Sequence, residues 1–208
     1  MAKNICFGVN EIARKVKGVD FGVDEIARKV KKGYIGVSPN LVKNGDFSNG
    51  FENWNQVKPD YVNYEIEDGK CKLTPITPYT TNYVLLRQGF GGYKISTGNV
   101  AYYALKYKAK LTNSGAYVAV RGETLKLYSS ETETFASTRT VLATDDSGVQ
   151  ITGINGLGEG DYIILDDVKI YDLTNIFGAG NEPTKEWCDA NLEALEAKSV
   201  AMLFFKSE

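Results

Sequence analysis

Cleaving a glycosidic bond takes two carboxylates in a shielded cleft, one with a raised pKa so that it can donate a proton. The sequence offers two pairs, Asp145-Asp146 and Glu131 with Glu133. The first runs into Ser147-Gly148, a composition that favours a turn. The second alternates along an exposed polar stretch. Neither marks a sheltered acid and base. Histidine is absent, which removes the commonest general base, the Ser–His and Cys–His nucleophile pairs and most zinc sites. Cys6, Cys71 and Cys188 are odd in number and widely spaced, a pattern of free thiols and not of a disulfide framework or metal knuckle. Gly153, Gly156, Gly158 and Gly160 make a glycine-rich turn, but no helix follows to complete a phosphate loop. These residues predict a protein that is not an enzyme.

Composition narrows the partners. Apolar residues make up 43% of the 208 and charged residues 24%, enough for a folded core. A net charge of -2 supplies no basic field, so nucleic acid is not expected as a partner. The first residues lack the apolar region of a signal peptide. The longest apolar run, 200–205, falls far short of the roughly 20 residues that span a bilayer. Synthesis in the cytoplasm without export, and no membrane partner, are the expectations.

The elements read as mainly β. Ala101, Tyr103, Leu105, Tyr107, Ala109 and Leu111 alternate with Lys106, Lys108 and Lys110, one face apolar and the other charged. Val62, Tyr64 and Ile66 alternate ahead of Asp68-Gly69, a strong hairpin signal. Val118 with Val120, Leu125 with Leu127, and Ile164 with Val168 and Ile170 give further strands. Strands at this spacing, parted by Gly, Asn and Asp turns, predict an antiparallel sandwich. Before it, Phe7-Gly-Val-Asn-Glu-Ile-Ala-Arg-Lys-Val-Lys-Gly18 recurs as residues 21–32 with Asp24 for Asn10 and Lys32 for Gly18. The repeat reads as short hairpins turning at Asn10-Glu11 and Asp24-Glu25, although Ile12 and Val16 would also share a helix face. Its basic residues, among them Arg14, Lys15, Arg28 and Lys29, suit an exposed ribbon edge that resists aggregation. After Asp172 a loop with Gly178 and Gly180 precedes a helix expected over 184–198, with Cys188, Leu192, Leu195, Ser199 and Met202 on its apolar face. The predicted divisions are an arm over 1–39, a sandwich over 40–174, and a loop, helix and apolar tail over 175–208.

Two motifs bracket the sandwich. Asn40-Leu-Val-Lys-Asn-Gly-Asp-Phe-Ser48, followed by Gly50-Phe51 and Trp54, resembles the opening strand of jelly-roll carbohydrate-binding modules. Ile163-Ile-Leu-Asp-Asp-Val-Lys-Ile-Tyr171 resembles their last strand. The repeat resembles N-termini of virion proteins from phages of Gram-positive bacteria. Asp172-Leu-Thr-Asn-Ile-Phe-Gly-Ala-Gly-Asn-Glu-Pro-Thr184 is similar to a segment that follows such sandwiches in phage tail and other virion proteins.

The resemblance implies a jelly-roll β-sandwich in a virion protein, in capsid decoration or in a tail or baseplate. Other virion proteins and sister copies would be held through the terminal segments. It implies a glycan partner such as cell-wall polysaccharide, bound by aromatics that stack on sugar rings and polar groups that bond hydroxyls. Tyr79, Tyr83, Arg87, Gln88, Phe90 and Tyr93 are the candidates. The other reading makes them ordinary strand and core residues. It also implies a structural calcium between the first and last strands, with ligands at Asn44, Asp46, Ser48, Asp166 and Asp167. The alternative is a plain hydrogen-bonded junction. The glutamate that many members carry after the Phe is replaced by Ser48. Phe47 and Trp54 are expected in the core.

Overall fold

A computed structural model describes residues 40–78, 80–121, 124–193 and 195–196, and the backbone of 5–9 and 12–16. In the arm, β1 (Ile5–Val9) pairs antiparallel with β2 (Ile12–Val16), with Val9 opposite Ile12. That is the hairpin expected around Asn10-Glu11. The second copy of the repeat lies outside the described residues.

From Asn55 the chain forms β3 (Asn55–Gln56), β4 (Val62–Glu67), β5 (Lys70–Pro75), β6 (Tyr83–Gly89), β7 (Val100–Lys110) and β8 (Tyr117–Val120). It continues with β9 (Leu125–Leu127), β10 (Ser130–Val141), β11 (Gly148–Ile154) and β12 (Tyr162–Asp172). Among the described residues these make two five-stranded antiparallel sheets, ordered β10-β7-β12-β5-β4 and β3-β6-β11-β8-β9. From β5 onward the strands fill the sheets as β10-β7-β12-β5 and β6-β11-β8-β9, the double Greek key of a jelly roll. β4 widens the first sheet and β3 the second. The β4–β5 hairpin turns at Asp68 (φ 52°) and Gly69 (φ 76°), the paired positive dihedrals that Asp-Gly is suited to adopt.

Alternation fills the space between the sheets. Leu73, Leu105, Ile151 and Ile163 are fully buried there. Each such side chain contributes roughly 1.5–3 kcal/mol. Phe47 and Trp54 join them, with ring centroids 5.3 Å apart, and Trp54 Nε1 donates to the Asn44 carbonyl at 2.9 Å. The stretch from Asn40 is not a regular strand. It follows β12 through two bonds, Leu41 N–H to the Ile170 carbonyl and Val168 N–H to the Gly45 carbonyl, both 2.9 Å, and then turns away.

The segment after β12 covers part of the first sheet's outer face. Asp172 caps α1 (Leu173–Phe177), a helix not expected from sequence, by accepting from Asn175 N–H at 3.0 Å. Thr184 caps α2 (Lys185–Ala190), so the helix starts as expected but breaks at Asn191. Residues 192–193 and 195–196 are helical again, and 197–208 lie outside the described residues. Cys188 and Leu195 bury against Tyr102 and Tyr171 on that face. Asp189 fastens the segment, accepting from Tyr102 Oη, Ser137 Oγ and Lys185 Nζ at 2.6 Å each.

Candidate functional site

The second sheet carries a row of polar side chains on its outer face. Arg87 on β6 lies in register with Asn55 on β3 and with Gln150 on β11, and all three are exposed. Arg121 extends the row from the end of β8, where its N–H donates to the Gln150 carbonyl at 2.8 Å. Above them opens a cleft of about 620 Å³, walled by Asn53 and by the segment Asp145–Gly148. Its hollow has a local cause. Gly89 and Gly148 face each other across β6 and β11, so no side chain stands between Arg87 and the wall. A Cβ on Gly148 would meet the Gln88 carbonyl at 2.5 Å.

Most of the charges that line the cleft are already paired. Asp145 accepts from Lys94 Nζ at 2.6 Å and from Thr97 N–H and Oγ1 at 2.8 and 2.9 Å. The Lys94 ammonium and the Thr97 donors hold its carboxyl at about 2. Asp146 is buried and accepts from Arg121 Nε at 2.9 Å and Tyr103 Oη at 2.8 Å. Arg87 makes no hydrogen bond or ion pair with any described residue, and the side chains of Asn55 and Gln150 are likewise unpaired among them.

An aromatic cluster lies on the same face, toward the start of β8. Tyr117 on β8 packs with Ala119 and Ile154, its ring centroid 5.7 Å from that of Tyr128. Tyr128 is 56% exposed and presents a ring to solvent.

The six glycan candidates do not form one platform. Arg87 lines the cleft. Gln88 borders it, but its carboxamide turns inward, accepting from Lys43 N–H at 2.7 Å and donating to the Lys43 carbonyl at 2.8 Å. Phe90 is buried in the core. Tyr93 donates to Asp172 Oδ2 at 2.8 Å, and burial and that carboxylate push its phenol pKa up. Tyr83 sits at the opposite end of β6, half-buried and stacked on Tyr61 at 5.7 Å, with Lys58 Nζ 5.1 Å from its ring centre. Tyr79 lies outside the described residues. Asn53, Asn55, Arg121 and Gln150 were not singled out by the sequence. The alternation of Val149, Gln150 and Ile151 does mark Gln150 as outward-facing.

The five residues expected around calcium do not form an oxygen cage as placed. The Asn44 side chain is committed to its own loop, donating to the Gly50 and Glu52 carbonyls at 2.9 and 3.1 Å and accepting from Asn49 N–H at 3.0 Å. Asp46 Oδ1 accepts from Ser48 N–H and Oγ at 3.3 and 3.0 Å. Asp167 pairs with Lys106 at 2.7 Å. A bulge between Asp166 and Lys169, with Asp167 at φ 51°, turns both carboxylates out of the core. Burial and the Asp167 charge push the Asp166 carboxyl up; burial also works to raise Asp167, but Lys106, Lys169 and Lys70 together more than offset it and its carboxyl is held down. Asn44, Asp46 and Asp167 border a hollow of about 310 Å³ shared with Lys169, whereas Ser48 and Asp166 do not border it. Among the described residues no three carboxylates or thiols converge.

No family model matches the sequence, and no curated protein matches it. Solved structures do resemble it. One is the enzymatically active domain of tailspike protein 4 of bacteriophage CBA120, at 17% identity and a TM-score of 0.41. The match covers 65% of this chain and 22% of that one, so the chain spans under a quarter of the tailspike domain. Another is TmCBM61 in complex with β-1,4-galactotriose, at 13% identity and a TM-score of 0.41, covering 64% of this chain and 98% of the other. A third is a CBM4 structure, at 19% identity and a TM-score of 0.41, covering 62% and 97%. The chain is thus similar at low identity to these structures, and its strand pairing by itself defines a jelly-roll β-sandwich.

Proposed function

We propose that the protein is a non-enzymatic phage virion protein, displayed in capsid decoration or on a tail or baseplate, whose sandwich holds a host cell-surface glycan. The observation that carries the glycan reading is the row Asn55–Arg87–Gln150. Two inter-strand spacings of about 4.8 Å make it roughly 10 Å long. It offers donors and acceptors unpaired among the described residues, on the sheet face opposite the one that α1 and α2 cover. Polyhydroxylated ligands are recognised by such groups, and the exposed ring of Tyr128 adds a surface for stacking. Binding without turnover fits the cleft's chemistry. Asp145 is held ionised near 2 and cannot serve as a proton donor at neutral pH. Among the described residues the carboxyl with a raised pKa, Asp166, belongs to the first sheet, beside Lys70.

The virion placement rests on the resemblance of the N-terminal repeat and of residues 172–184 to phage virion segments. In this reading the arm over 1–39 is the anchor and the sandwich the exposed lobe. The second reading, a dedicated host-adhesion module, shares the same cleft and differs in where the protein sits on the particle. Retention on purified host cell-wall polysaccharide tests the glycan claim. The wild type is retained and a folded Asn55→Ala/Gln150→Ala variant washes off. A wild type that washes through overturns it. Immunogold labelling of intact particles tests the placement, and a particle without label overturns it.

A further inference from the structure

We infer that the cleft selects anionic glycans, with Arg87 as the residue that reads a carboxylate or phosphate group on the sugar. The inference rests on the proposed glycan reading and names the class of ligand. Charge within the cleft leads to it. Asp145 is matched by Lys94 at 2.6 Å, and Asp146 by Arg121 at 2.9 Å. Among the cleft's described charges Arg87 is the one left without a counterion. Its guanidinium stands on an exposed position of β6, between Asn55 and Gln150 in register.

A guanidinium carries five donors in a planar fork that matches a carboxylate or phosphate bidentately. An uncharged sugar hydroxyl would use one of those donors and leave the charge unmatched. An anionic substituent uses the fork and supplies the missing counterion. The flanking amides of Asn55 and Gln150 remain free for neighbouring hydroxyls. The Asp145 and Asp146 carboxylates do not repel such a ligand strongly, because each is already engaged by a cation and by hydroxyl or backbone donors. Arg121 has its Nε spent on Asp146 and one terminal nitrogen on the Thr144 carbonyl at 3.2 Å. It therefore positions the wall, and Arg87 meets the ligand.

The test uses the full chain and two matched pairs of polysaccharides: polygalacturonate with its methyl ester, and phosphomannan with dephosphorylated mannan. Affinity is measured at low and high salt. A charge-assisted, partly exposed contact predicts an anionic form bound about tenfold more tightly than its neutral partner. The preference shrinks as salt rises. Preference within the first pair assigns a carboxylate, and within the second a phosphate. Arg87→Gln brings the anionic-to-neutral ratio near one, and Arg87→Lys keeps part of it. Unchanged melting curves show that both variants fold. Equal binding of charged and neutral forms by the wild type overturns the inference and leaves the glycan reading standing. Binding to neither form in either pair, with no retention on host cell wall, removes both. An Arg87→Gln protein that keeps the full preference overturns the assignment to Arg87.

Discussion

Replacing Gly45 by alanine separates two reasons for a glycine in the Asn44-Gly45 motif. Its φ does not lie in the left-handed region, so conformation alone would admit alanine. The obstacle is contact, because a Cβ there would lie 2.1 Å from the Val168 carbonyl oxygen. An ordinary carbon–oxygen approach is about 3.3 Å, so the backbones must part by roughly 1.2 Å. That movement costs about 1–3 kcal/mol of overpacking strain. It also breaks the 2.9 Å bond from Val168 N–H to the Gly45 carbonyl, a further loss of about 1 kcal/mol. The sum is roughly 2–4 kcal/mol, and for a chain of this size each kcal/mol lowers Tm by about 2–4 °C. Thermal unfolding by circular dichroism should show Gly45→Ala melting roughly 4–16 °C below the wild type. Gly50→Ala is the control. Gly50 has φ +63° and nothing within 4 Å of a built Cβ, so it pays conformational strain alone, about 1–2 kcal/mol. A Gly45→Ala protein that melts no lower than Gly50→Ala would refute the claim that close approach to β12 dictates the motif.

Three further outcomes follow from the same contacts. Chelation with EDTA leaves the melting temperature unchanged, because Asn44, Asp46, Ser48 and Asp167 are engaged with the chain's own groups; a fall that calcium reverses and magnesium does not would contradict this. Asp145 has a folded pKa below its unfolded value of about 3.9, so its stabilising contribution is present above that value and is lost as pH falls toward about 2. The urea midpoints of the wild type and Asp145→Asn should therefore converge across that window, and a constant gap would argue against the Lys94 pairing. Cys71 and Cys188 are fully buried, and burial pushes the Cys188 thiol up to about 11. Mass mapping after brief iodoacetamide treatment of native protein should find both unmodified, and rapid labelling of either would show that its layer opens.

The fold was legible wherever period and turn chemistry agreed. The alternation from Ala101 to Leu111 places Ala101, Tyr103, Leu105, Tyr107 and Ala109 in the core. Asp68-Gly69 makes its hairpin, and Thr184 starts its helix. The cleft was less legible, because it depends on register between strands distant in sequence. Asn55, Arg87 and Gln150 become neighbours through pairing that no local pattern encodes. Local aromatic density pointed instead to residues 79–93, where strand parity decides what each side chain meets. A register irregularity at Leu85 leaves Leu85 and Leu86 both buried, so Arg87 faces out and Gln88 in. The irregularity after Asp166 is likewise invisible in the local sequence, and it leaves the Asp166 carboxylate outside the core near Lys70. The break at Asn191 also escaped the helical period, because Cys188 and Leu195 keep their apolar face on both sides of it.

Glycan is proposed to bind the open face of the second sheet. A titration of ¹⁵N-labelled protein with oligosaccharides released from host cell wall tests it most directly, read as backbone and side-chain amide shifts. Saturable shifts are expected, centred on Asn55, Arg87 and Gln150 and fading toward the face covered by α2. Shifts centred instead on Tyr61 and Tyr83, or none at all, would contradict it.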